Sequence, residues 1–157
     1  MDVASWGLGL SLIVVTIAIH TTAVVVMAFV VDARIRPQFD APTPTAPRAI
    51  MNVTGRIGLV TLILAVLHGL EAMLWALAYW HLGAVDSFAK ASIFALSTMT
   101  TFEIPDLAIA SRFYMFSALE AVNGVLLFGI STAFLFAVLQ VHWQLISHRR
   151  QASLIPE

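Results

Sequence analysis

Three long apolar runs, interrupted only by isolated polar side chains, organise the chain: 6–31, 57–81 and 113–143. A helix needs about 20 apolar residues to cross a hydrocarbon core of about 30 Å, so each run predicts a transmembrane helix. The interval 32–55 contains DARIRPQFDAPTPTAPR, whose four prolines and polar side chains predict a surface linker. The second interval is different in kind. It carries SFAKASIFALSTMTT at 87–101, helical in composition but too short to cross, with Asp86 or Ser87 suited to cap its start and Pro105 forbidding its continuation. The pattern therefore predicts four helices: an N-terminal span (1–31), an outer span (57–81), a half-length helix (87–101) and an inner span (113–143), with a tail at 144–157.

Composition agrees with membrane insertion. The 157 residues are 60% hydrophobic and 11% charged, with a mean hydropathy of +0.92, against roughly 25% charged residues in soluble domains. The first run opens Met-Asp-Val, without a positive start or a small-x-small cleavage pattern, so it is expected to be retained and not removed as a signal peptide. Arg34, Arg36, Arg48, Arg56, Arg149 and Arg150 flank the spans on one side, against Lys90 and Arg112 on the other. Positive residues favour the cytoplasmic side, which predicts an outside N-terminus and a cytoplasmic linker and tail. Trp6, Trp75, Tyr79 and Trp80 then fall near outer helix ends and Trp143 near an inner one, as interfacial aromatics do.

The formal net charge of −1, with no basic cluster beyond Arg149 and Arg150, leaves no footprint for nucleic acid. Absence of cysteine excludes disulfides, thiolate metal sites and cysteine nucleophiles. No nucleophile, base and orienting group stand together, so no enzyme activity is expected. A half-length helix followed by irregular chain is tolerated at membrane depth only where it is buried in protein or lines water. Such a segment, between two spans, predicts a re-entrant loop.

The pore module of tetrameric cation channels has the same order of elements, and here the likeness extends to residues. HGLEAMLWAL (68–77), DSFAKASIFALSTMTT (86–101) and ALEAVNGVLLFGISTAFLF (118–136) resemble the outer, pore and inner helices of small bacterial potassium-channel-like proteins. The likeness covers about 55–140, and the extra N-terminal helix also occurs in some bacterial relatives. It implies an all-α membrane protein, a homotetramer around one four-fold pore in a bacterial inner membrane. The pore module would be 56–143 and the filter 100–106. Gly124 would be a hinge, Phe128 and Thr132 would face the cavity, and Glu120 and Asn123 would brace the filter, Glu120 by bonding Ser97, Thr98 or Asn123.

One departure from the family pattern bears on function. Channels of this family read T-x-G-Y-G-D after the pore helix, where backbone carbonyls replace the hydration shell of potassium. Here Thr101-Phe102-Glu103-Ile104-Pro105-Asp106 stands in that place. Glycine alone readily adopts the left-handed conformations such a ladder needs, and proline fixes φ. Thr100, Thr101, Phe102, Glu103 and Asp106 are instead expected to form a side-chain filter. Thr101-Phe102-Glu103 is similar to the Thr-Leu-Glu of bacterial sodium channels, where four glutamates ring the pore. The expected activity is passive passage of monovalent cations with weak or no potassium selectivity, without a resident cofactor, and with Ca2+ competing at the Glu103 ring. The alternatives are a non-conducting structural or regulatory protein derived from a channel, and a potassium channel with an atypical filter.

Elsewhere in the spans, His68 and Glu71 share a helix face at i, i+3. Two ligands from one helix do not make a metal site, so the pair is expected to join helices by hydrogen bonding. His20, with Thr21 and Thr22, is expected to do the same, and His142 and His148 are expected at the inner interface.

Overall fold

The computed structural model describes residues 3–38, 46–105 and 107–152, and among them every regular element is helical. The helices are α1 (Val3–Ile35), α2 (Ala46–His81), α3 (Phe88–Met99) and α4 (Tyr114–Ala152), with 3-10 turns at Arg36–Gln38 and Ser111–Phe113. Three stretches are long and apolar enough to cross a membrane, Trp6–Ile35, Pro47–His81 and Ser111–Gln144. The chain has the makings of a membrane protein with three spans. At 12 residues, α3 is about 18 Å long and falls short of that thickness.

Three helix ends differ from the sequence expectation. Polar chain was expected over 32–55, but α1 continues to Ile35 and α2 already begins at Ala46. Pro47 does not prevent this. In the first turn a proline's missing N–H has no intrahelical acceptor to lose, and its fixed φ suits a helix. The tail expected from 144 is helical through Ala152, because HWQLISHRRQA contains neither glycine nor proline.

The chain divides into two compact units, Met1–Thr21 with Ala65–Ile130, and Thr22–Leu64 with Ser131–Glu157. In the second unit Val60 and Leu64 of α2 pack with Phe134 and Val138 of α4, flanked by Val24, Met27 and Val31 of α1. His142 is buried there and its Nδ1 lies 2.8 Å from the Val138 carbonyl, one turn back on its own helix.

The first unit contains α3 and the larger core. Ala72, Trp75, Ala76 and Tyr79 of α2 meet Ala91, Ala95 and Met99 of α3 and Phe113, Phe116 and Leu127. Aromatic rings fill its centre: Tyr79 lies edge-on to Phe94 and Phe116, with centroids 4.9 and 5.0 Å away, and Trp75 stands 5.0 Å from Phe116. Buried positions recur every three or four residues, as at Phe116, Glu120, Asn123 and Leu127, which places them on one face of α4.

The α2–α3 connection closes with a glycine. The Gly83 N–H donates to the Trp80 carbonyl (3.1 Å) and the Ala84 N–H to the Tyr79 carbonyl (2.9 Å), with Gly83 at φ +66°. This is the helix-ending motif that favours a left-handed glycine. Ser87 then caps α3, its hydroxyl accepting from the Lys90 N–H at 3.3 Å.

The end of α3 meets α4 at Gly124. A Cβ built there would lie 2.0 Å from the Met99 carbonyl oxygen and 2.8 Å from its carbonyl carbon. Gly129 has nothing within 4 Å of the same position. Gly124→Ala should therefore displace the α3 end and destabilise the protein by about 1–3 kcal/mol, the usual cost of overpacking. Gly129→Ala should be neutral or slightly stabilising. Denaturant unfolding in detergent, followed by tryptophan fluorescence, compares the two.

Candidate functional site

The segment after α3 begins with an unusual backbone. Thr100 ends the helix, its hydroxyl donating to the Leu96 and Ser97 carbonyls at 3.0 and 2.9 Å. Thr101 follows at φ +58°, the one non-glycine residue with positive φ among those described. Its N–H donates to the Thr98 carbonyl (2.9 Å) and the Phe102 N–H to the Ser97 carbonyl (2.8 Å). The motif is that of Gly83, with a β-branched residue in the glycine position. A left-handed L-residue costs about 1–2 kcal/mol. Strain of this kind persists only where surrounding structure enforces it, and it concentrates at functional segments.

Beyond Thr101 the side chains of Phe102 and Glu103 are exposed, Phe102 by 67%. A turn follows in which the Leu107 N–H donates to the Ile104 carbonyl at 3.0 Å. Pro105 occupies its first central position, where its fixed φ is favourable. The Ile104 carbonyl is thus engaged within its own chain. Asp106 lies outside the described residues. Among those described, Glu103 forms no ion pair with Arg112, whose guanidinium carbon lies 4.8 Å from the Phe113 ring centroid. A cleft of about 470 Å³ borders this segment, between Thr98, Glu103 and Ile104 on one side and Tyr114, Ser117 and Ala121 of α4 on the other.

The remaining predicted residues fall in three settings. Gly124 is buried against Met99, and that close approach alone requires glycine there. Phe128 packs on His68, with ring centroids 4.3 Å apart, and Thr132 is exposed on α4 in the second unit. Glu120 and Asn123 are fully buried, but their partners are not the expected ones. Glu120 Oε2 accepts from the Tyr79 hydroxyl at 2.7 Å, and Asn123 Oδ1 accepts from the Thr16 hydroxyl at 3.0 Å. Ser97 instead donates to Phe94, one turn back on its own helix (2.8 Å). The expected contacts of Glu120 with Ser97, Thr98 or Asn123 are replaced because its face of α4 points to α2.

A further polar contact joins residues that the sequence separates by 51 positions. His20 Nδ1 of α1 stands 3.0 Å from Glu71 Oε1 and 3.3 Å from Oε2 of α2. His68 Nδ1 lies 3.4 Å from Glu71 Oε2, and the two imidazole rings are 5.0 Å apart. All three residues are buried. With Thr16–Asn123 and Tyr79–Glu120, this contact completes a set in which α1–α2, α1–α4 and α2–α4 each share a polar link. The signal available in sequence was spacing: Thr16 and His20 lie one turn apart on α1, as Glu120 and Asn123 do on α4, but spacing does not say which helix each faces.

Comparison of the chain with protein-family models, curated protein sequences and solved structures finds no match. Function therefore rests on the residues and their geometry.

Two outcomes test this geometry. Thr101→Gly should relieve the left-handed strain and raise stability by about 1 kcal/mol, read as a higher unfolding midpoint in detergent. For the Tyr79–Glu120 contact, Tyr79→Phe leaves a buried carboxyl group without its donor and should cost about 1–3 kcal/mol. The double variant Tyr79→Phe, Glu120→Leu should cost less than the sum of the two single changes. Strict additivity in that cycle would mean the hydrogen bond does not contribute.

Proposed function

We propose that the chain is the subunit of a homotetrameric, potassium-channel-like membrane protein that passes monovalent cations with little selectivity for potassium. In this reading α3 is a re-entrant pore helix, and four copies of the segment from Thr100 to Pro105 surround one axial path. The N-terminus lies outside, and the chain between α1 and α2 lies in the cytoplasm. The observation that carries the reading is the seating of the α3 end on Gly124. Gly124 is ten residues along α4 from Tyr114, about 15 Å of helix rise. A half-length helix that ends against the midsection of a transmembrane span, and a chain that then returns to the start of that span, is what a pore loop requires.

The reading requires oligomerisation, since one such loop cannot enclose a path. It would also give partners to apolar side chains exposed in the single chain, among them Ile93 and Leu96 of α3 and Val122 and Val125 of α4. The helix places its partially negative C-terminal end at the proposed path, which favours cations. Glu103 adds four carboxylates, and rings of acidic side chains serve cation channels as filters. The turn at Pro105, with the Ile104 carbonyl held by Leu107, supports side-chain selection over a carbonyl ladder.

Flux through liposomes containing purified protein tests the reading. Sodium and potassium permeabilities under bi-ionic conditions should agree within about tenfold, or about 1.4 kcal/mol. Glu103→Gln preserves side-chain shape while removing charge, and should reduce both the preference for cations over anions and the competition by external Ca2+. A hundredfold preference for potassium would favour the atypical potassium channel. A tetramer that passes no cation would favour the non-conducting protein.

A further inference from the structure

The His20, His68 and Glu71 cluster has no part in the proposed pore. His68 and Glu71 by themselves supply two ligands from one helix, which is too few. The fold brings in a third from α1. One potential ligand atom from each of the three residues lies within 4.8 Å of both others. The side chains are 0%, 8% and 1% exposed, so the ligand atoms face each other in a dry interior and are not competing with bulk water.

We propose that these three residues form a binding site for a divalent transition-metal ion of the zinc class. The donor set is two imidazole nitrogens and one carboxylate oxygen. Such a set suits Zn2+ and its neighbours, bound at about 2.0–2.2 Å with a fourth position left for water. Tetrahedral ligands at that radius stand about 3.3–3.6 Å from one another. Measured to the same carboxylate oxygen, Oε2, the His20 Nδ1 and His68 Nδ1 separations are 3.3 and 3.4 Å, which fall in that range. The two imidazole nitrogens lie within 4.8 Å of each other, and an ion between them would draw them together. The metal takes the imidazoles and the carboxylate in their deprotonated forms. Mg2+ and Ca2+ are poorly served, because both ask for six or more ligands that are mainly oxygen. The Phe128 ring, 4.3 Å from that of His68, provides an apolar wall of the kind that limits water access to metal sites.

His20 comes from α1 and the other two from α2, so the ion would fasten the N-terminal helix to the outer helix within the first unit. This inference does not depend on conduction, and a protein that passes no ions could still bind the metal.

The test uses the full-length protein purified in detergent with a histidine-free affinity tag, stripped of metal by chelator and titrated with CoCl2. Tetrahedral Co2+ gives visible absorption bands that report the ligand set. The expected result is one Co2+ per chain, displaced by an equivalent of Zn2+ and not by excess Mg2+, with a higher melting temperature in the Zn2+-loaded protein. Glu71→Gln keeps the shape of the side chain, and His20→Ala removes the α1 ligand. Each should weaken binding at least tenfold. The exposed His81→Ala should bind like the parent. Parent protein that takes up no Co2+ at one per chain overturns the proposal without reference to any variant. So does binding that survives both His20→Ala and Glu71→Gln, and the cluster would then be a hydrogen-bonded clamp only.

Discussion

A backbone carbonyl at the end of α3 rests on α4 where α4 has no side chain, and the arrangement of the first unit depends on that contact. With any Cβ at position 124 the Met99 carbonyl would be 2.0 Å from carbon. Neither partner can yield cheaply, since one is helix backbone and the other closes a neighbouring helix. The depth at which α3 stops, the start of the strained turn at Thr101 and the placement of Glu103 all follow from where Met99 comes to rest. Ala91 and Ala95 on the buried face of α3 extend the same principle, because small side chains let helices approach closely where burial from water provides no drive between them.

Polar contacts supply what shape alone does not. Within the first unit each pair among α1, α2 and α4 shares one buried polar link: His20–Glu71, Thr16–Asn123 and Tyr79–Glu120. Apolar faces alone would let these helices slide or rotate past one another with modest loss. A carboxyl group or amide held in an apolar interior tolerates no such slip, since losing its partner leaves a buried polar group unpaired. α3 shares in none of these links, and its Ser97 and Thr100 hydroxyls bond back to their own helix. Its position is fixed by packing against Trp75, Tyr79 and Gly124.

Much of this was legible in the residue pattern. Length and hydropathy determined three spans and one helix too short to cross, because the thickness of a hydrocarbon core is a fixed ruler. Ser87 marked the start of the short helix through capping, whereas its end came at Thr100 and Thr101, ahead of the expected stop at Pro105. Pro47 misled, since a proline reads as a helix breaker but is welcome in a first turn, and α2 begins eleven residues before its apolar run does. Tertiary structure alone decided the partners. Position 120 is a buried carboxyl group by sequence, but whether it meets Ser97 on α3 or Tyr79 on α2 depends on the rotation of α4, which no local pattern encodes. Glycine at 124 could serve a bend or a contact, and only the approach of Met99 distinguishes them. His20 and the His68–Glu71 pair stand on separate spans, each an ordinary polar interruption when read along the chain. That they converge within hydrogen-bond distance is a consequence of how α1 packs on α2, a long-range relation between faces that hydrophobic periodicity constrains but does not fix.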